Sequence, residues 1–219
     1  VDSEFFSSQS RIYRKQQNEI MNMLRVEGPI VLYVGRLLDA KGIPELLSAF
    51  EIFVARHSAT LIIIGDGPDQ THYQEICKER GLNSVRFEGF RPQVDLPRYY
   101  AIADVLVFPT RSDPWGLVIN EAMCSGLPVI CSAAAGAARD LVRHGHNGFV
   151  HQTGDVQAIA SHLESILADP ETLIRMGESS REIISGFTPR RMAHGFLRAI
   201  LGIPQNTSPG FTHQSDGET

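Results

Sequence analysis

The sequence predicts an α/β fold, a Rossmann-like, doubly wound parallel sheet of about six strands. Short, almost unbroken apolar runs such as Ile30–Val34, residues 59–64, Val105–Phe108 and residues 128–131 punctuate the chain. Between them lie stretches whose apolar residues recur at helical spacing, as with Leu46, Leu47, Phe50 and Val54. A strand buried on both faces reads as a continuous apolar run, and parallel neighbours need a helix-length crossover between them. Glycines close several of the units, among them Gly35, Gly65, Gly81 and Gly126.

Taken in order, the first strand, Ile30–Val34, ends at Gly35 and is followed by a helix over residues 43–55. The second strand, 59–64, is closed by Gly65-Asp66-Gly67-Pro68. A helix over 69–80 follows, with Gly81 as its C-terminal cap. A short strand at 85–87 leads to a helix at 94–102, and the strand Val105–Phe108 leads to the helix Leu117–Cys124. A strand at 128–131, a short helix at 136–142 and a last strand at 148–150 come next. Helices over 156–168, 170–184 and 189–200 complete the pattern. Ahead of the first strand, a polar stretch with Arg11, Arg14 and Lys15 predicts a helix through Leu24. Residues 204–219, rich in Ser, Thr, Gln, Gly and Asp, are expected to form a disordered tail, leaving one domain over 1–203.

A chain of 219 residues with 42% hydrophobic and 21% charged residues buries a full core without metal or disulfide staples. Its net charge of -5 argues against a nucleic-acid binder held by phosphate contacts. Cys77, Cys124 and Cys131 form neither a CxxC pair nor a zinc-ligand cluster, and read as reduced core thiols of a cytoplasmic protein. Nothing approaches the ~20 apolar residues of a membrane span, and the start does not resemble a signal peptide. In that compartment the sequon at Asn206 is a chance match.

In an open parallel sheet, ligands bind beyond the carboxyl ends of the strands. This leaves four candidate loops. In the first, residues 35–42, Arg36 and Lys41 precede a helix start that favours anions. They read either as phosphate ligands or as solvated loop cations, one of them paired with Asp39. The second, residues 65–69, begins like a dinucleotide fingerprint but has Gln70 where glycine is required, and Pro68 removes an amide. A tight strand-to-helix turn is the better reading, and an NAD-dependent oxidoreductase the weaker one. In the third, residues 110–116, Asp113 stands in the loop and Glu121 lies within the helix that follows. The amides of Gly116, Leu117 and Val118 lack intrahelical acceptors and suit a diphosphate, with the carboxylates taking sugar hydroxyls. Alternatively Asp113 caps the helix and Glu121 is a solvated face residue. The fourth, residues 132–136, is built of small residues that serve a ligand or close packing equally, and Arg139 and Asp140 read as a surface pair. His144 and His146 lack an evident third ligand, so no metal site is expected. A serine-hydrolase elbow is missing too.

The order of these loops resembles glycosyltransferase family 4, also called group 1, over about residues 1–200. The resemblance rests on Val1-Asp2-Ser3-Glu4-Phe5-Phe6, on Gly35-Arg36-Leu37 with Lys41-Gly42, and on Gly65-Asp66-Gly67-Pro68. It continues through Phe87-Glu88-Gly89-Phe90, Ala103-Asp104-Val105, Pro114-Trp115-Gly116-Leu117-Val118-Ile119-Asn120-Glu121, Asn147-Gly148-Phe149 and Phe187-Thr188-Pro189. It implies the C-terminal, nucleotide-sugar-binding half of a GT-B fold. The implied activity is retaining transfer of a sugar from a nucleoside-diphosphate donor to an acceptor hydroxyl, without metal or other cofactor. Among the catalytic contacts, Arg36 and Lys41 correspond to the family's diphosphate-binding cations. Asp113 stands at the first glutamate of its E-x7-E motif, one methylene shorter, and Glu121 at the second, which binds the ribose. Gly35, the amides of Gly116, Leu117 and Val118, and the backbone at Phe90 and Arg91 complete the implied donor site.

The resemblance also implies a missing N-terminal acceptor domain, in cis or in trans, so this chain alone is expected to be inactive in transfer. Membrane contact would come through that missing half, at the inner face of the membrane. A non-catalytic nucleotide-sugar binding or partner module is the alternative, prompted by the shortened side chain of Asp113.

Overall fold

The computed structural model describes residues 1–187, 193, 197, 198, 200 and 201. It divides into Val1–Ser185 and a second unit, Gly186–Thr219, most of which is not described. The tail at 204–219 lies outside the described residues, as does most of the predicted helix over 189–200.

The first unit opens with two helices, α1 (Ser3–Arg14) and α2 (Gln17–Leu24), where a single one is predicted. Lys15 and Gln16 break the run, because α1 ends at Lys15 and α2 starts without a side-chain cap at Gln16. The alternating core follows: β1 (Ile30–Val34), α3 (Ile43–Val54), β2 (Thr60–Ile64), α4 (Gln70–Glu79), β3 (Val85–Gly89) and α5 (Leu96–Ile102). Then come β4 (Val105–Phe108), α6 (Leu117–Cys124), β5 (Val129–Ser132), α7 (Ala138–Leu141), β6 (Gly148–His151), α8 (Val156–Leu167) and α9 (Pro170–Ser185).

All the strands pair in parallel, in the order β3-β2-β1-β4-β5-β6. The unbroken apolar runs have the burial their sequence requires: every residue of β1, β2, β4 and β5 is buried. Edge strand β3 is only partly covered. α3 packs with α4 and α8, while α5 and α6 pack with α1, giving two helical layers. The strand order reverses between β1 and β4, and a crevice opens there at the carboxyl ends. No helix among the described residues is long and apolar enough to cross a membrane.

Candidate functional site

A cavity of about 510 Å³ occupies this crevice. β1 ends in it with Val34, Gly35 and Arg36, and β2 with Ile64, Gly65 and Asp66. The segment after β3 contributes Phe90, Arg91, Gln93 and Leu96, and α6 contributes Val118 and Glu121. The first two loops touch through bare backbone: a Cβ on Gly65 would stand 1.8 Å from the carbonyl oxygen of Gly35. The glycine-rich second loop is thus the predicted tight turn and, in addition, part of the cavity floor.

Helix α6 enters through Gly116, whose φ of 89° belongs to the left-handed region, and a Cβ there would also crowd the Phe108 ring at 2.9 Å. No side chain caps this end. Among the described residues, the amides of Gly116, Leu117 and Val118 find no acceptor, so the helix start presents free N–H groups and its dipole to the crevice. The Leu117 side chain points away, 57% exposed.

Glu121 is not the solvated residue that helix periodicity allowed. It is 6% exposed and accepts a hydrogen bond from the Tyr100 hydroxyl at 2.8 Å. Burial pushes its carboxyl above the usual carboxylate range, opposed by hydrogen bonds from Tyr100 and from the side chain of Gln93. Its charge meets neutral donors at short range.

Asp113 does not cap α6 either. Its Oδ1 accepts from the Trp115 amide at 3.0 Å, tying its own loop, and Oδ2 receives Lys41 Nζ at 2.7 Å. Lys41 also donates to the Ser112 carbonyl at 3.2 Å. The small residues of the fourth loop let it close under this turn, with the Gly136 amide on Asp113 O at 3.0 Å and Ala137 on Trp115 O at 2.8 Å.

The structure therefore gathers Gly35, Arg36, Phe90, Arg91, Val118 and Glu121 around one cavity. Lys41 and Asp113 pair beside the start of α6, outside that lining together with Gly116 and Leu117. Phe90 is 68% exposed at the rim, and the Arg91 guanidinium is engaged by Glu88 at 2.8 Å.

Sequence reasoning missed Tyr100, Gln93 and Arg111. Arg111, not Arg36 or Lys41, takes Asp39, and it also grips Glu45 Oε1 through Nε at 2.8 Å and Nη2 at 2.7 Å. Its amide donates to Ala40 O at 2.9 Å, so the first and third loops are stapled by backbone and side chain alike. The signal for Arg111 was its place next to Thr110 at a strand end. For Tyr100 it was a polar tip amid the apolar residues Leu96, Ala101 and Ile102 of α5. Arg139 and Asp140 are both exposed. His144 packs edge-on against Phe149 and His162, and no group of three or more metal-ligating side chains forms among the described residues.

The six-stranded parallel sheet with helices on both faces matches the fold of GT-B glycosyltransferase structures. The chain belongs to the glycosyl transferases group 1 family, whose profile matches residues 15–183. It is 34% identical over 186 residues to the sulfoquinovosyl transferase SQD2 of Arabidopsis thaliana, covering 83% of this chain and 34% of that protein. Anabaena HepE, solved in complex with UDP and glucose, superimposes with a TM-score of 0.75 at 27% identity, covering 86% of this chain and 52% of HepE. Sucrose-phosphate synthase from Thermosynechococcus elongatus superimposes at 0.74 with 30% identity, covering 84% of this chain and 49% of the synthase. The chain spans between a third and a half of the length of such curated relatives, 34% of SQD2 and 51% of the Rhizobium meliloti lipopolysaccharide core glycosyltransferase LpsE.

Proposed function

We propose that residues 1–203 form the donor-binding half of a retaining family 4 glycosyltransferase, which transfers a sugar from a nucleoside diphosphate to an acceptor hydroxyl. The observation that carries this reading is the crevice itself. A buried carboxylate with neutral hydrogen-bond partners, the Arg36 cation and Val118 of the free amide end of α6 line a cavity sized for a small ligand, with the rest of that helix start beside it. Glu121 accepts hydroxyls of the nucleotide ribose, and the backbone at Phe90 and Arg91 meets the base. Arg36, Lys41 and the amides of Gly116, Leu117 and Val118, together with the backbone at Gly35, receive the diphosphate. Asp113 contacts the transferred sugar.

In the reaction the bond between the anomeric carbon and the phosphate oxygen breaks, and a bond to the acceptor oxygen forms on the same face. The acceptor proton passes to a phosphate oxygen of the leaving diphosphate. Cations and helix amides fixed in place before the reaction stabilise the charge that develops there. With that charge met by protein groups, we propose that no metal is needed.

An N-terminal acceptor domain completes the cleft, and the chain alone is inactive in transfer. Membrane contact comes through that half. We further propose a cytoplasmic location, a reading that the buried free thiols of Cys77, Cys124 and Cys131 support. One observation favours the second reading, a binding module without catalysis. Asp113 is shorter than the family's glutamate and is already engaged by Lys41.

The test is thermal unfolding of the chain with UDP, GDP, ADP and NADH, with and without EDTA. A ligand at about a hundred times its Kd adds about 2.7 kcal/mol. Stabilisation by one diphosphate that EDTA leaves intact supports the donor site. Stabilisation by NADH alone overturns it.

A further inference from the structure

The donor-site reading assigns Glu121 but leaves unexplained why a carboxylate that must face a ligand is bonded to a completely enclosed phenol. Tyr100 is fully buried, and its hydroxyl donates to Glu121 Oε2 at 2.8 Å from the neighbouring helix α5. Its ring is held in turn by Phe6 of α1, edge-on with centroids 5.8 Å apart, and Phe6 is itself 0% exposed. A second tie runs parallel to this one. Ser10 of α1 bonds the Ser125 hydroxyl at 2.8 Å and the Pro97 carbonyl at 3.3 Å, and Ser125 bonds the Glu121 carbonyl at 2.9 Å. Helix α1 therefore grips both the residue that orients Glu121 and the backbone that carries it.

We propose that Tyr100 is the positioning residue for Glu121, turning its carboxylate towards the cavity, and that Phe6 of α1 holds Tyr100 in that setting. The inference rests on the donor-site reading for its ligand but not for its geometry. A carboxylate has about four lone-pair directions; the phenol occupies one on Oε2 and the Gln93 side chain takes another. The side chain therefore cannot rotate freely, and its remaining acceptor sites are available to a pair of vicinal hydroxyls. The phenol supplies this bond as a neutral donor, because burial, then Glu121, push its own ionisation well above the usual range. Other titratable or charged groups around Glu121 are Cys124 on α6, the Val1 amino group, and the cavity-lining Arg36, Asp66 and Arg91; Gln93 adds a neutral donor.

The experiment compares wild type with Tyr100→Phe, which keeps the ring and removes only the hydroxyl. Calorimetric titration uses UDP, GDP and ADP, each beside its 2′,3′-dideoxy counterpart. The Glu121 carboxyl is followed in parallel by carbon NMR across pH. We expect Tyr100→Phe to weaken the preferred diphosphate about tenfold, the effect of one hydrogen bond to a charged group. The preference for ribose over dideoxyribose should collapse, and the Glu121 titration should move to higher pH. In a Glu121→Gln background the same change should add little, since neighbours in one network are not additive. Phe6→Leu should reproduce the pattern in weaker form.

An unchanged ribose preference and an unchanged titration in Tyr100→Phe overturn the proposal, even if the variant is less stable. If wild type binds none of the diphosphates, the donor-site reading fails. The carboxyl titration still decides whether Tyr100 sets Glu121.

Discussion

Asp113 and Glu121 lie at the two ends of one short segment, and the fold treats them in opposite ways. Asp113 has a side chain 20% exposed, ties its own turn, and faces an ammonium at 2.7 Å. Glu121 is 6% exposed and meets a phenol and an amide. The first carboxylate is already compensated, and a ligand reaching it must share or displace Lys41. The second is under-solvated with only neutral donors, and additional hydroxyl donors improve its position. The difference teaches where recognition and where charge chemistry reside. Under the donor-site proposal, the buried end selects a ligand and the paired end exchanges one partner for another.

The harshest test of this contrast is Glu121→Ala. It should weaken the preferred diphosphate by about 2–3 kcal/mol, the value of hydrogen bonds to a charged group, and thereby remove the thermal shift. A shift like that of wild type would break the comparison. Next in size, Lys41→Ala should weaken the diphosphate about tenfold while changing stability by less than about 1 kcal/mol. Combined with Asp113→Asn it should cost less than the sum of the two, as calorimetric double-mutant cycles would record.

Glu121→Gln sharpens the contrast through pH. The folded carboxyl is held above its ordinary range, chiefly by burial. Its contribution to stability is therefore complete below the unfolded value of about 4.3, and is lost as pH rises through the folded value. The glutamine variant lacks that loss. Relative to wild type it should gain stability between pH 4 and 7 in denaturant titrations, even as it loses nucleotide response. A parallel pair of pH curves would show that Glu121 carries no such strain.

The smallest effect belongs to Arg111→Lys. Losing the guanidinium fork on Glu45 and Asp39 should cost about 1 kcal/mol or less, because Arg111 is 39% exposed. Its effect on diphosphate affinity should stay below that of Lys41→Ala. A larger one would make the loop staple, not the Lys41–Asp113 pair, the organiser of the anion end.

The sheet was legible because β1, β2, β4 and β5 are buried on both faces, and such strands need no pattern beyond unbroken apolarity. The break at Lys15 and Gln16 was not, since both residues are good helix formers; there the backbone bonds tighten, with Lys15 N on Ile12 O and Gln16 N on Tyr13 O. The loops holding Arg36, Lys41 and Asp113, and the helix carrying Glu121, were legible from their places after strand ends. Their partnerships were not. Whether Glu121 faced water or Tyr100 depends on how α5 lies against α6, and periodicity within one helix carries no information on that. Likewise, the choice of Arg111 by Asp39 was decided by loop closure between segments 72 residues apart.

The contact of Gly65 with the Gly35 carbonyl bears on how such a domain can diversify. Because a Cβ on Gly65 would run into the Gly35 carbonyl and one on Gly35 would stand 2.7 Å from the Tyr33 hydroxyl, inherited variation at these two positions has little to act on. Under the donor-site proposal, new ligand preferences would be written on the walls, at residues such as Phe90, Gln93 and Val118. A library at those positions would test that directly.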